Sequence, residues 1–234
     1  MSQPTLVLIP GLLSDGVVWE GIIARLGGAV RAVVADLSTQ DSISDMARDT
    51  LAAYPGQVWV AGHSMGARVA LEMQRMAPER VEKLALIDTG VHPKKDGEDQ
   101  RRQVLVDLGY TAGMAELAAQ WLPPMVHPDR HDDAALMGAL LAMVERMSPQ
   151  LHERQIKALL GRPDAEPGLS AITCPTLLMV GRQDAWSPLA QHEAMLPNLK
   201  NARLVVIEDA GHFAPIERPD AVAAALADWA QGWN

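Results

Sequence analysis

The stretch Val58-Trp59-Val60-Ala61-Gly62-His63-Ser64-Met65-Gly66-Ala67-Arg68-Val69-Ala70-Leu71-Glu72-Met73 decides how the rest of the chain is read. It opens on a short apolar run with the character of a buried strand. It closes on good helix formers, with Val69, Met73 and Met76 at helical spacing. Between them, Gly62-His63-Ser64-Met65-Gly66 matches G-x-S-x-G. A chain that passes from strand to helix within so few residues turns sharply and strains the backbone of its central residue. Small residues are needed on either side because strand and helix pack close together. The turn lifts the Ser64 hydroxyl clear of the sheet edge, over the N-terminus of the helix. The reading is a nucleophile elbow, with His63 in its variable position packed beside the reacting group.

Working outward, Thr5–Ile9 is an apolar run bounded by Pro4 and Pro10-Gly11, a strand buried on both faces. A loop over Pro10–Gly16 leads to a helix from Trp19 to Leu26, then a strand from Val30 to Ala35. Ser42 or Ser44 is placed to cap a helix that runs to Ala53. The elbow helix ends before Pro78, and Val81–Ile87 is the next strand. Ile172–Gly181 and Ala202–Ile207 are two more, separated by a helix over Pro188–Met195, and an amphipathic helix over Pro219–Trp229 closes the chain. Strands alternating with helices at this spacing pair in parallel through right-handed crossovers. From His92 to about Gly168 the strand-like runs vanish, and helical periodicity broken by prolines takes over near Asp99–Leu108, Thr111–Trp121, Asp132–Met147 and Pro149–Leu160.

A serine hydroxyl is a poor nucleophile until a base accepts its proton, and the base needs a third group to fix its tautomer. Asp184 follows the strand that ends at Gly181, and His212 follows the one that ends at Ile207. With Ser64, all three fall just beyond C-terminal strand ends, where open α/β sheets bind their ligands.

With its elbow, and with both partners in the order Ser64, Asp184, His212, nearly the whole chain resembles the α/β-hydrolase superfamily. The stretch Ala210-Gly211-His212-Phe213-Ala214-Pro215-Ile216-Glu217-Arg218-Pro219 is similar to that family's histidine loop almost throughout, and Gly181-Arg182-Gln183-Asp184 to its acid loop. The resemblance implies Ser64 as nucleophile, His212 as base and Asp184 as acid. Asp88, at the end of Val81–Ile87, is the alternative acid that some lipases of the family use, and Asp36 a more distant one. Two backbone N–H groups, of Leu12 and Met65, match the family's oxyanion donors. Pro10-Gly11 stands where many members have His-Gly, which matters little because the loop supplies an N–H rather than an imidazole. The fold implied is α/β, with about six mostly parallel strands flanked by helices. Residues 1–91 and 169–234 form the core, and 92–168 a helical cap. Because the first strand lies directly before the oxyanion loop, six parallel strands without an antiparallel edge hairpin are expected.

The same resemblance implies a serine hydrolase acting on a small carboxylic ester. A thioesterase or a carbon–carbon bond hydrolase on the same triad is the alternative, as is a ligand-binding protein without turnover. Substrate is expected against Leu13, Trp19, His63, Trp121, Met125, Met143, Trp186 and Phe213. The cap is rich in methionine (Met114, Met125, Met137, Met143, Met147), whose unbranched side chains adapt to varied apolar shapes. An apolar pocket for short to medium uncharged chains follows.

Composition narrows the classes further. The chain has 234 residues, 48% of them apolar, enough for one full core with an insertion. A net charge of -9 argues against nucleic acid or an anionic membrane as partner. The expected partner is a small-molecule ester, with monomer or homodimer left open. The single cysteine, Cys174, and the absence of a signal-like N-terminal run point to the cytoplasm, with Cys174 a buried structural thiol. His127 and His131 have the i, i+4 spacing of metal ligands beside Asp132 and Asp133. Pro128 between them reads instead as a helix start, where aspartates suit the dipole, and no metal is expected. His92, His152 and His192 read as surface or rim residues. No phosphate loop, CxxC pair or HExxH is present, so no cofactor is implied.

Overall fold

The structure, a computed structural model, describes residues 5–28 and 30–232. Short apolar runs rich in Val, Leu and Ile make the strands β1 (Thr5–Ile9), β2 (Arg31–Val34), β3 (Val58–His63), β4 (Val81–Ile87), β5 (Thr176–Gly181) and β6 (Ala202–Ile207). Every residue of β5 is buried, as a strand covered on both faces requires. The six pair in parallel in the order β2-β1-β3-β4-β5-β6, with Ile9 in register with Gly62 and Gly62 with Leu86. No antiparallel pair occurs among the described residues.

This order fixes where a ligand can sit. The chain first steps from β1 to β2, then jumps back over β1 to β3 and proceeds the other way. The crevice of a doubly wound sheet opens at such a switch point, outside the carboxyl ends of the strands. Here that point lies between β1 and β3, whose ends carry the Pro10–Leu13 loop and Ser64.

Among the described residues, six helices accompany the sheet: α1 (Val17–Leu26), α2 (Ile43–Ala53), α3 (Met65–Met76), then α8 (Leu189–Met195), α9 (Ala214–Glu217) and α10 (Pro219–Gln231). α1 packs on α10 and α2 on α3. Of the two candidate caps of α2, Ser42 takes the role, accepting from Asp45 N at 3.0 Å, while the Ser44 hydroxyl donates to Glu72. α9, within the histidine loop, was not foreseen as a helix. Cys174 is half-buried with its thiol pKa raised by burial, and its Sγ lies 3.8 Å from Gln74 Oε1.

Between β4 and β5 stand α4 (Glu98–Thr111), α5 (Met114–Trp121), α6 (Ala134–Glu145) and α7 (Pro149–Leu160). Asp133 and Ser148 cap α6 and α7 through Leu136 N and Leu151 N. The apolar sides of these helices join the core of the sheet, so Leu117, Leu140 and Met143 belong to one cluster with Leu6 and Val60. Polar ties pin the insertion over the loops after β1 and β2. Arg146 pairs with Asp15 at 2.6 Å, Arg154 donates to Ser38 O at 2.7 Å, and Gln155 Oε1 accepts from Leu13 N at 2.8 Å. No helix among the described residues is long and apolar enough to cross a membrane.

Candidate active site

β3 ends at His63, and Ser64 follows with φ 54° and ψ -114°. A residue with a Cβ pays roughly 1–3 kcal/mol for such a conformation and keeps it only where its surroundings leave no choice. The surroundings here are tight. A Cβ on Gly62 would run into the Gly66 carbonyl, and one on Gly66 into the Ile9 carbonyl at the end of β1. The Ser64 N–H donates to Ile87 O at 2.8 Å, and the Thr89 hydroxyl donates to Ser64 O at 3.0 Å.

The Ser64 hydroxyl that results lies 2.8 Å from His212 Nε2, and His212 Nδ1 lies 2.9 Å from Asp184 Oδ2. A carboxylate only accepts, so Nδ1 carries the proton and the lone pair of Nε2 faces the serine. Asp184 Oδ1 accepts from Trp186 N at 2.8 Å and Ser187 N at 2.9 Å. Burial opposes its charge, but His212 and these N–H donors outweigh burial and hold the carboxyl below its ordinary pKa.

Asp88, the alternative acid, is fully buried at the end of β4 with φ 51°. Its oxygens accept from Gly181 N at 2.8 Å and Ala214 N at 3.2 Å, and the nearest histidine nitrogen is His63 Nε2 at 3.8 Å. Burial, and then the charge on Asp184, push its pKa well above the ordinary value. Asp88 thus ties the acid loop to the histidine loop without touching His212. Asp36 is taken up by its own loop, accepting from Ser38 N.

His63 Nε2 is 2.6 Å from the His212 carbonyl and therefore carries a proton. Burial, reinforced by nearby His212, pushes its pKa down to about 3, so it is a neutral donor that fixes the backbone of His212. Glu217 holds the same loop from below. One oxygen accepts from Gly211 N and Phe213 N, the other from His127 N on the insertion, and His212 N itself donates to Met125 O at 2.7 Å. Sequence reasoning quoted Glu217 only as part of the loop. Its place four residues into the loop after Phe213 gave no hint that it would collect three backbone donors.

Leu12 and Met65 border the cavity above Ser64, and no other described residue accepts a hydrogen bond from either N–H. The cavity measures about 270 Å³, and His63, Trp121, Met125, Trp186 and Phe213 line it. Leu13, Trp19 and Met143 do not, and the expectation for them is corrected. All three are fully buried, Leu13 in the loop after β1, Trp19 on α1 and Met143 on α6, where they fill core space. Of the five methionines of the insertion, only Met125 reaches the cavity.

A basic wall takes the place of the expected apolar one: Arg68, Lys95, Arg101, Arg102 and Arg162 line the cavity, with Glu98 among them. Arg68 sits one helical turn beyond Ser64 on α3, which places its side chain beside the site. The Glu98–Arg102 spacing of four is likewise visible in sequence. Nothing in the sequence indicates that Arg162 closes the group.

His92 borders the cavity as a rim residue, but His152 and His192 are buried, contrary to expectation. His192 Nε2 accepts from Thr89 N at 3.2 Å, and burial lowers both pKa values to about 4, so both rings are neutral core residues. His127 Nδ1 accepts from Asp129 N, and the His131 ring faces the Pro123 carbonyl at 2.9 Å. No group of three metal-ligating side chains occurs among the described residues.

The profile of the family described as "Alpha/beta hydrolase family" matches residues 6–225. The chain belongs to the alpha/beta hydrolase family. Among curated relatives, a pimeloyl-[acyl-carrier protein] methyl ester esterase of Nitrosomonas europaea is 26% identical, over 93% of this chain and 92% of its own length. One from Pectobacterium carotovorum is 28% identical, over 97% and 94%. Among solved structures, a thermophilic esterase from Thermogutta terrifontis superposes with a TM-score of 0.90 at 25% identity, covering 98% of this chain and 90% of that one. The enol-lactonase from Burkholderia xenovorans shares the fold with a TM-score of 0.89 at 21% identity, over 99% and 92%.

Proposed function

We propose that this alpha/beta hydrolase cleaves a small carboxylic ester through an acyl-enzyme on Ser64. The observation that carries the reading is the unbroken hydrogen-bonded line from Ser64 Oγ through His212 to Asp184, at 2.8 and 2.9 Å, opening into a cavity. Ser64 Oγ attacks the ester carbonyl as its proton passes to His212 Nε2. The charge that develops on the carbonyl oxygen is met by the N–H groups of Leu12 and Met65, and losing one such donor typically costs about 3–4 kcal/mol of transition-state stabilisation. The carbon–alkoxide bond then breaks and His212 gives its proton to the leaving alcohol. Water next attacks the acyl carbon, with its proton taken by His212. The Ser64–acyl bond breaks as His212 returns that proton to Ser64 Oγ, and the acid departs. Asp184 stays ionised and stabilises the imidazolium through both half-reactions. The esterases among the relatives support an ester over an amide or a carbon–carbon bond. Helices α4–α7 act as a cap, since Trp121, Met125 and Leu159 roof the cavity and Met125 O receives His212 N.

The test is a fluorophosphonate adduct mapped by mass spectrometry, expected on Ser64, paired with Ser64→Ala assayed on p-nitrophenyl butyrate. The substitution is expected to lower kcat by about 10⁴- to 10⁶-fold. Retention of more than about one-hundredth of wild-type turnover, against that range, would refute the mechanism.

A further inference from the structure

The cation-rich wall is the feature the hydrolytic machinery does not use. In a chain of net charge -9, five basic side chains and one carboxylate converge on a cavity of about 270 Å³. Arg162 is fully engaged: it donates to both Glu98 oxygens, at 2.8 and 2.7 Å, and to the carbonyls of Leu159, Pro93 and His92. Arg102 takes Glu98 Oε1 as well, at 2.8 Å. The single carboxylate is thereby used up.

Arg68 is left over. Its one hydrogen bond goes to the His92 carbonyl at 3.0 Å, and no carboxylate lies within ion-pair distance among the described residues. Burial, and then the neighbouring Arg162, pull its pKa down to about 9, the sign of a cation short of a counter-ion. Arg68 and Arg162 also back onto a second, apolar cavity. Its acidic residues are committed elsewhere, Glu72 to Arg75 and Asp164 to Glu166 N, so the missing charge is not supplied from there. Arg68 lies four residues after Ser64, which is about 6 Å along the helix axis. A short substrate can span that distance.

Resting on the esterase reading above, we propose that the ester cleaved at Ser64 is anionic, and that a carboxylate a few bonds from its scissile carbonyl binds Arg68, backed by Arg102 and Arg162. A guanidinium matches a carboxylate in a two-point fork, and with its pKa at about 9 Arg68 is still charged at neutral pH. A net-positive cavity in an acidic protein also draws such a substrate in selectively. This replaces the uncharged acyl chain expected from the methionines of the insertion.

Two matched ester pairs, followed by pH-stat titration, read the proposal on either side of the ester. They are monomethyl against dimethyl glutarate, and 3-acetoxypropanoate against its methyl ester. In at least one pair the anion is expected to have the higher kcat/KM, by about tenfold or more, the scale of one charge-assisted hydrogen bond. Arg68→Gln should collapse that ratio and Arg68→Lys should restore part of it. Preference for the neutral ester in both pairs, or a ratio untouched by Arg68→Gln, overturns the proposal while leaving the esterase reading intact. Calorimetric titration of Ser64→Ala with glutarate separates the two further, since it needs no turnover. Binding that disappears on adding Arg68→Gln supports the carboxylate site even if Ser64 proves not to be the nucleophile. No glutarate binding, or tighter binding of inorganic phosphate, overturns it.

Discussion

On one side of the cavity, Ser64, Asp184 and His212 stand on turns that leave β3, β5 and β6. On the other, Arg68 comes from α3, Glu98 and Arg102 from α4, and Arg162 from just beyond α7. The first side is held by main chain. Asp184 receives the N–H groups of Trp186 and Ser187, Asp88 those of Gly181 and Ala214, and Glu217 those of Gly211, Phe213 and His127. The second side is centred on side-chain ion pairs, with one carboxylate shared by Arg102 and Arg162 and, among the described residues, no ion pair to Arg68 or Arg101, and its backbone contacts are mostly carbonyls that accept from the arginines. Backbone donors fix the position of a charge, and ion pairs between side chains fix mainly its balance. The strand-end side therefore has its charges held in place, whereas the helical side carries a surplus of positive charge.

The sharpest way to break that contrast is at the two strand-end aspartates. Both are buried and both accept two backbone N–H groups, yet only Asp184 touches His212. Asp184→Asn is expected to lower kcat by about 10⁴-fold, because an amide no longer selects the Nδ1–H tautomer or stabilises the imidazolium. Asp88→Asn should cost less than about tenfold in kcat and appear instead as lost stability, about 1–3 kcal/mol for a buried donor left without its acceptor. Stopped assays and urea titrations of the two variants decide it. A severe kinetic loss confined to Asp88→Asn would move the acid to β4.

The difference between the two sides also explains what the sequence disclosed. Ser64, Asp184 and His212 each sit within a local pattern whose spacing is dictated by a strand ending and a turn beginning, so the parallel strands and the turns that leave them were legible together. The pairing of Ser42 with Asp45 and the all-parallel sheet follow from the same short-range rules. The helical side carries no such signature. Arg162 meets Glu98 across 64 residues, and Gln155 meets Leu13 across 142. Methionine content said that the insertion is apolar without saying which face looks inward, so Met143 was placed at the cavity when it fills the core. His152 and His192 went astray because a neutral imidazole is buried as readily as a small amide, and its neighbours in sequence do not reveal that.

Glu98 is the place to test the second side. Its side chain is 10% exposed and carries the charge balance for Arg102 and Arg162. Glu98→Gln leaves buried cations uncompensated, for which about 3–5 kcal/mol is expected in a urea titration at pH 7. Burial raises the carboxyl pKa, but Arg162, the Lys95 N–H and Arg102 together bring it below the ordinary range. The stabilisation is therefore fully present above the unfolded value, about 4.3, and is lost as pH falls through the folded value. The gap between wild type and variant should stay level from about pH 5 to pH 8 and narrow only in stronger acid. A gap that widens on acidification would show that Glu98 is not the charge that matters.

Gln155 joins the two sides and should give the smallest effect. It stands on α7, 2% exposed, and its Oε1 is the acceptor for Leu13 N at 2.8 Å, next to Leu12, the oxyanion donor of the proposed mechanism. Its amide nitrogen makes only a long contact of 3.4 Å to Leu37 O, so the bond to Leu13 is the one that counts. Leu13 has φ 50°, an unfavourable conformation that the loop keeps only while it is held. Gln155→Leu removes the acceptor, and the loop is free to relax and turn Leu12 N–H off its target. Complete loss of an oxyanion donor costs about 10²- to 10³-fold in kcat, and a misaimed one should cost roughly three- to tenfold, with KM nearly constant. The neighbouring Arg154→Ala is the control, since that side chain ties α7 to Ser38 O and leaves the oxyanion loop alone. A fall in kcat for Gln155→Leu without one for Arg154→Ala means that α7 aims the loop. Equal falls would mean that loosening the insertion anywhere slows the enzyme, and the specific role of Gln155 would be wrong.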